Sequence, residues 1–269
     1  MDKTAWEKVQ FARHPNRPTA KKVIEYLMDD FIELHGDRAF RDDPSIIGGI
    51  GYMDGLPVTI IAQEKGVDTN DKIKRNFGMP HPEGYEKALR LMKQAAKFKR
   101  PIIVIIDTPG AYPGLEAENR NQAFKIANNL KEMMMINTFI ISVVLSEGGS
   151  GGALAIGVSD KILMFENSIY SVLSPEGFAS IIYRDSSRAK DAAEVMKLQA
   201  SDLFKYKIVD EIIKEKEGLH LNPEFGLKAL KKSIKAYIVK DKELNADERL
   251  DKRYLKYRSI GFYGKRIDE

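Results

Sequence analysis

The chain contains no cysteine. That absence excludes disulfides, thiolate zinc sites, iron–sulfur clusters and cysteine nucleophiles together, and it fits a reducing compartment. Histidine is scarce as well: the four residues His14, His35, His81 and His220 are scattered, and no pair has ligand spacing, so no metal site is expected in this chain. The longest apolar runs, residues 102–106 and 139–145, fall far short of the roughly 20 residues that span a bilayer. Met1-Asp2-Lys3-Thr4 has no apolar segment behind it, which reads as the lack of a signal peptide. No internal repeat or low-complexity stretch is visible. These absences predict a soluble, cytoplasmic protein with no membrane partner.

What is present is globular in composition. The 269 residues are 43% hydrophobic and 30% charged, enough to build a substantial core and unlike a disordered chain. The net charge of +4 is unevenly spread: residues 228–269 hold 13 basic and 7 acidic side chains, a net +6, leaving −2 for residues 1–227. A basic, tyrosine-containing stretch such as Lys252-Arg253-Tyr254-Leu255-Lys256-Tyr257-Arg258 has the composition of a nucleic-acid contact. The acids interleaved with it favour a solvated helix or docking arm, and no nucleic-acid partner is expected.

Periodicity divides the chain into an N-terminal arm (residues 1–20), an α/β domain (21–240) and a basic C-terminal tail (241–269). In the arm, Pro15 and Pro18 point to extended chain after a short helix. Thr19 is placed to cap a helix running to about Leu34, with Val23, Leu27, Phe31 and Leu34 on one face. Residues 46–52 and 58–63 read as strands joined by an Asp54-Gly55 hairpin turn. A loop is expected over 65–82 and a helix over 86–99. The run 102–106, bounded by Pro101 and Asp107, fits a strand buried on both faces. The pattern then recurs: loop 107–114, long helix 116–135, buried strand 138–145, Gly-rich loop 146–150 and small-residue helix 151–157. Short strands at 161–165, 169–173 and 208–213, with a helix at 175–183, complete a series of strand-strand-helix units with parallel crossovers.

Two loops at the ends of buried strands carry the chemistry. In Ser146-Glu147-Gly148-Gly149-Ser150-Gly151-Gly152-Ala153, four glycines allow close approach of a ligand to the amides, and the free N–H groups of a helix start suit an anion or a developing oxyanion. One glycine pair would satisfy a tight turn; four exceed what packing needs. The same letters match G-x-S-x-G, a nucleophile elbow centred on Ser150, for which His220 is the sole histidine placed after the serine. In Asp107-Thr108-Pro109-Gly110-Ala111-Tyr112-Pro113-Gly114, Gly110 or Ala111 is positioned to aim an N–H at the same oxygen, since ligands of parallel sheets collect at the carboxyl ends of strands. Asp107 is a candidate base, but a carboxylate there more simply accepts bonds from its own loop. Glu64, Lys65 and Glu147 are either catalytic or merely paired; Lys72, Lys74 and Arg75 suit phosphate or a solvated face; Met133-Met134-Met135 reads as the buried end of a helix.

These loops, together with Ala5-Trp6-Glu7, Ala12-Arg13-His14-Pro15, Leu34-His35-Gly36-Asp37-Arg38-Ala39-Phe40, Arg75-Asn76-Phe77-Gly78-Met79-Pro80, Pro82-Glu83-Gly84-Tyr85, Tyr170-Ser171-Val172-Leu173-Ser174-Pro175-Glu176-Gly177 and Arg253-Tyr254, closely resemble the alpha-subunit family of bacterial acetyl-CoA carboxylase carboxyltransferases. The resemblance runs over nearly the whole chain. It implies a crotonase-like α/β spiral of repeated strand-strand-helix units with a helical C-terminal region. It implies transfer of a carboxyl group from carboxybiotin, borne on a separate biotin carboxyl carrier protein, to acetyl-CoA, giving malonyl-CoA for fatty acid synthesis. The expected partners are a beta subunit in an α2β2 assembly, which would carry a zinc ribbon and most of the CoA site, and biotin carboxylase in the larger complex. Negative charge would develop on the ureido oxygen of biotin, and the freed biotin nitrogen would take the proton from the acetyl methyl. By the same resemblance the oxyanion donors fall at Gly151 and Gly152 with Gly110 or Ala111 opposite, and Gly149, Ser150 and Tyr112 flank biotin.

Overall fold

The computed structural model describes residues 3–261. The end of the basic tail, residues 262–269, lies outside the described residues. The chain opens with helix α1 (Ala5–Ala12), capped by Thr4 and Glu7 in a reciprocal box, and α2 (Ala20–Leu27). Strands β1 (Asp29–Glu33), β2 (Ile46–Met53) and β3 (Leu56–Gln63) follow, then α3 (Thr69–Lys74) and α4 (Pro82–Lys97). The central units are β4 (Ile102–Thr108), α5 (Leu115–Glu118), α6 (Gln122–Met135), β5 (Ile140–Gly149) and α7 (Ser150–Leu154). Next come β6 (Lys161–Phe165), β7 (Ile169–Ser171), α8 (Pro175–Ile182), α9 (Ala189–Val195), α10 (Ala200–Lys205) and β8 (Glu211–Ile213). Two longer helices, α11 (Pro223–Asp241) and α12 (Ala246–Arg258), close the described chain.

One mixed sheet runs β1-β2-β3-β4-β5-β6-β8. The β2–β3 hairpin turns through Asp54 and Gly55, both at positive φ, as an Asp-Gly two-residue turn requires. From β3 onward the neighbours are parallel, so each step needs a crossover helix. β5 splits its edge: residues 141–144 pair with β6, whereas Glu147, Gly148 and Gly149 pair with β7. The sheet thus turns a corner at the glycine-rich end of β5, which gives the fold its spiral. One face packs under α2 and α11 around Ile60, Ile103, Ile141 and Leu230, and the other under α4 and α6 around Leu91, Val104, Val144 and Met164. β4 is buried along its full length, as its unbroken apolar run predicts.

Several local expectations give way to tertiary context. The helix expected to reach Leu34 stops at Leu27, and Thr19 makes no capping bond; residues 29–33 instead form an edge strand antiparallel to β2. Phe31 lies over the bare backbone of Gly49, where a Cβ would come within 2.7 Å of its ring, so a glycine surface on β2 captures the segment. The loop over 65–82 contains α3, capped by Asp68, and a 3₁₀ turn at Asn76–Gly78. The long helix expected over 116–135 breaks at Asn121, whose φ is +64°, because Gln122 is drawn inward to donate to the carbonyls of Pro80 and Tyr112. Met133 is buried, but Met135 is exposed. The helices α9 and α10 fall where no element was expected.

Candidate functional site

The paired loops meet at the carboxyl ends of β4 and β5. Two glycines are fixed there by contact. A Cβ on Gly149 would lie 2.1 Å from the carbonyl oxygen of Pro109, and one on Gly152 would lie 2.4 Å from both the nitrogen of Ala111 and the carbonyl carbon of Gly110. The two loops therefore touch backbone to backbone, which only glycine permits. Gly151 differs: its Cβ would meet only Ile126 at an ordinary 3.6 Å. Ser150 sits at φ +54° as the strand turns into α7.

The amides sort themselves by partner. Gly110 donates its N–H to the hydroxyl of Thr108 at 3.1 Å, and that hydroxyl donates back to the Gly110 carbonyl at 2.7 Å. The N–H of Tyr112 is used by the Pro80 carbonyl. Among the described residues, the N–H groups of Ala111, Gly151 and Gly152 have no such acceptor. Helix α7 has only five residues, so its macrodipole is small and these few local donors make the electropositive spot. N–H groups left without an acceptor on closely packed loops suit an oxygen bearing negative charge.

Gln63 locks the arrangement from below. It is fully buried, donates to the carbonyl of Gly152 at 2.8 Å and accepts from the N–H of Asp107 at 3.2 Å, so a single amide side chain ties the end of β4 to α7. Beside it, Lys65 Nζ lies 2.7 Å from Asp107 and 3.3 Å from Glu147, and Arg13 pairs with Glu147 at 2.8 Å and with Glu176 at 2.7 Å. Burial would raise the Glu147 carboxyl, but the charges of Lys65 and Arg13 outweigh it and hold it below the usual carboxylate range. Burial would likewise lower Lys65, yet Asp107 and Glu147 hold it above its ordinary value. Asp107 accepts from Lys65 and from the N–H of Glu147, across the loops and not within its own. These carboxylates are paired groups that brace the loops. Glu64 is different: burial pushes it up, although the amides of Lys21 and Gly66 donate to it.

The remaining sequence candidates separate. Tyr112 stacks against His81 at 4.1 Å, and a hydrogen bond to Glu116 raises its phenol. Arg75 is engaged by Asp71 and the Pro44 carbonyl, away from any phosphate-binding role. The positive φ of Ser150 suits a nucleophile elbow, but His220 is stacked on His14 at 3.9 Å and edged by Phe11. No hydrogen bond joins the Ser150 hydroxyl to a described base. Arg13 and Gln63 were not singled out from the sequence as site residues. Gln63 carries one signal: it is a polar residue directly following the apolar run of residues 60–62. Among the described residues no His, Asp or Glu cluster suits a metal ion, and no helix is long and apolar enough to cross a membrane.

Residues 2–261 match the family described as acetyl co-enzyme A carboxylase carboxyltransferase-like. The acetyl-coenzyme A carboxylase carboxyl transferase subunit alpha of Clostridium perfringens is 57% identical over 257 residues, 95% of each chain, and that of Clostridium botulinum is 55% identical over 95% of this chain and 94% of its own. A Clostridium tetani protein named as subunits beta/alpha is 53% identical over 96% of this chain and 45% of its own length. Among solved structures, transcarboxylase 12S superposes with a TM-score of 0.66 at 16% identity over 94% of this chain and 44% of its own, and a Pseudomonas malonate decarboxylase hetero-tetramer with 0.63 at 16% identity over 86% and 83%. At such identities the likeness is one of fold, and it is the crotonase-like carboxyltransferase fold.

Proposed function

The chain belongs to the family of acetyl-coenzyme A carboxylase carboxyl transferase alpha subunits, and from that premise we propose that Ala111, Gly151 and Gly152 form the donor set that stabilises the departing biotin oxygen. The protein is a biotin-dependent carboxyl transferase subunit that acts with a beta subunit in forming malonyl-CoA from acetyl-CoA. The observation that carries the site assignment is the backbone contact of the two loops at Gly149 and Gly152, with free N–H groups on both sides of it. Gly110 keeps its place by bonding Thr108, which leaves Ala111 as the donor opposite α7.

When bound, biotin on its carrier supplies the carboxyl group and an oxygen that gains negative charge as that group leaves. The chain's own residues do the rest of what this half of the site requires. The N–H groups of Ala111, Gly151 and Gly152 receive that oxygen; Gly149 and Ser150 set the turn that presents them. Tyr112, held over His81, forms one wall. Gln63 and the Arg13–Glu147–Lys65–Asp107 array keep the loops in register, so the donors need no reorganisation as charge develops. Loss of one such donor costs about 3–4 kcal/mol in comparable sites. Among the described residues the two acids at the loops, Asp107 and Glu147, are paired with Lys65 and Arg13. A second oxyanion site for the thioester, the zinc ribbon and most of the CoA contacts fall to the beta subunit.

The reading is tested by malonyl-CoA-dependent carboxylation of free biotin, assayed with this chain alone and with a beta subunit from the same source. Activity in the mixture only is expected. Activity of the lone chain would sink the shared site, and a folded complex inactive with malonyl-CoA would move the substrate to another acyl-CoA.

A further inference from the structure

Helix α8 is amphipathic in the wrong sense for a free surface. Its buried residues are Pro175 and Ala179, whereas Ile181 and Ile182 are 69% and 59% exposed. Phe178, Ile181 and Ile182 are spaced i, i+3, i+4, so they share one face. Val172, in the segment leading into the helix, is 73% exposed, and Leu173 folds back against Gly177. The inner side of this unit packs on α9, while α1 packs on α9 and β7 around the small cluster of Val9, Ile169 and Leu198. Val172, Ile181 and Ile182 are turned to solvent, while Phe178 beside them is half-buried, edge-on to Tyr183. Isolated exposed leucines are ordinary, but a helical face of this composition marks a contact.

The position of this face identifies its occupant. β7 pairs with Glu147, Gly148 and Gly149, and the first turn of α8 is tied to the same strand end through Glu176–Arg13–Glu147. The apolar face therefore starts at the rim of the paired loops. The site those loops form lacks its thioester half, and in the Clostridium tetani relative the beta and alpha subunits occur in one polypeptide. We propose that the α8 face, Val172, Phe178, Ile181 and Ile182, is the surface on which the beta subunit docks, so that the interface itself brings the second half of the site to the oxyanion loops. This inference rests on the functional reading above for the identity of the partner.

The test measures the dissociation constant of the complex between the full chain and the beta subunit, by titration calorimetry, alongside the carboxylation of biotin and the self-association of the chain alone. The double variant Ile181→Asp with Ile182→Asp should weaken beta binding at least 30-fold and lose activity at limiting beta subunit. Saturating beta subunit should restore it, and the melting temperature of the isolated chain should stay unchanged. Val239→Asp, an equally exposed apolar position on α11, should leave binding and activity as they were. Val172→Asp repeats the test outside the helix should the double variant fail to fold. An unchanged dissociation constant overturns the proposal. So does loss of self-association with beta binding intact, which would make the face a contact between two copies of this chain. A wild-type mixture that binds but transfers no carboxyl group would overturn the functional reading and leave the docking result standing.

Discussion

The two ends of this molecule solve opposite problems. At the front, the end of β5 meets β4 through bare backbone: Gly149 against Pro109 and Gly152 against Ala111, with N–H groups left open. At the back, α12 is held by side chains used to saturation. Arg253 is fully buried, pairs with Asp160 at 2.7 Å and donates to the carbonyls of Met133, Ile136 and Thr138. Nearby, Lys256 pairs with Asp210 at 2.6 Å and Arg249 with Asp241 at 2.6 Å. Burial pulls Lys256 below its ordinary value in spite of Asp210. Within the basic stretch that resembled a nucleic-acid contact, Arg253, Lys256 and Tyr257 therefore clamp α12 to the core. At the loops the donors left over are backbone N–H groups; at α12 the guanidinium groups of Arg249 and Arg253 are matched by carboxylates and carbonyls.

That contrast can be broken from either side. Arg253→Met should have the largest effect. It takes the cation from the half-buried Asp160 carboxylate, which keeps only the Ile140 N–H, and strands three carbonyls, a loss of roughly 3–5 kcal/mol, read as a fall of about 10 °C in melting temperature. Activity per folded molecule should be little changed. Gly152→Ala should do the reverse. Its Cβ cannot coexist with Ala111 at 2.4 Å, so the loops must part, and carboxyl transfer with the beta subunit should fall by about 10²–10³. A small drop in melting temperature should accompany it. If Gly152→Ala kept full activity, the backbone contact would be irrelevant to the chemistry.

Lys65→Met probes the array that braces the front and should cost about 2 kcal/mol. It also carries a pH signature. The Glu147 carboxyl is held below its usual range, so its contribution is present above the ordinary carboxylate value, about 4.3, and is lost as pH falls through the lower folded value. Removing Lys65 raises that folded value. Acid unfolding of the variant, followed by circular dichroism, should therefore begin at higher pH than in the parent. An identical acid limb would show that Arg13 alone holds the charge. The smallest effects are expected at the neighbours that look alike on paper. Gly151→Ala meets only Ile126 at 3.6 Å, and Ser150→Ala removes a hydroxyl that bonds to no described base. Each should retain activity within a few-fold. A complete loss in Ser150→Ala, with covalent labelling of the parent by a fluorophosphonate, would revive the hydrolase.

Most strands from β2 onward were legible because buried parallel strands leave unmistakable apolar runs, as in β4 and β5, and Asp54-Gly55 announces its hairpin. The glycine loops were legible as a site for the same local reason: four glycines in five positions are not needed for a turn. Other features were hidden because they depend on partners far away in sequence. Nothing local to Phe31 says that it will be captured as an edge strand by the bare face of Gly49. Gln63 gains its meaning only when β3 lies beside β4 and under α7. Arg13 reaches Glu147 across 134 residues.

By itself, then, the order of residues determined the α/β class, the two loops and the family, since these follow from periodicity, backbone freedom and motif, all properties of short stretches. Only the tertiary structure decided which amide is left without an acceptor, Ala111 rather than Gly110, which glycine has no room for a Cβ, Gly152 rather than Gly151, and which charges are paired. Each of those turns on a contact distance between segments that the chain brings together only when folded, and a difference of one ångström there separates a hydrogen bond from a clash.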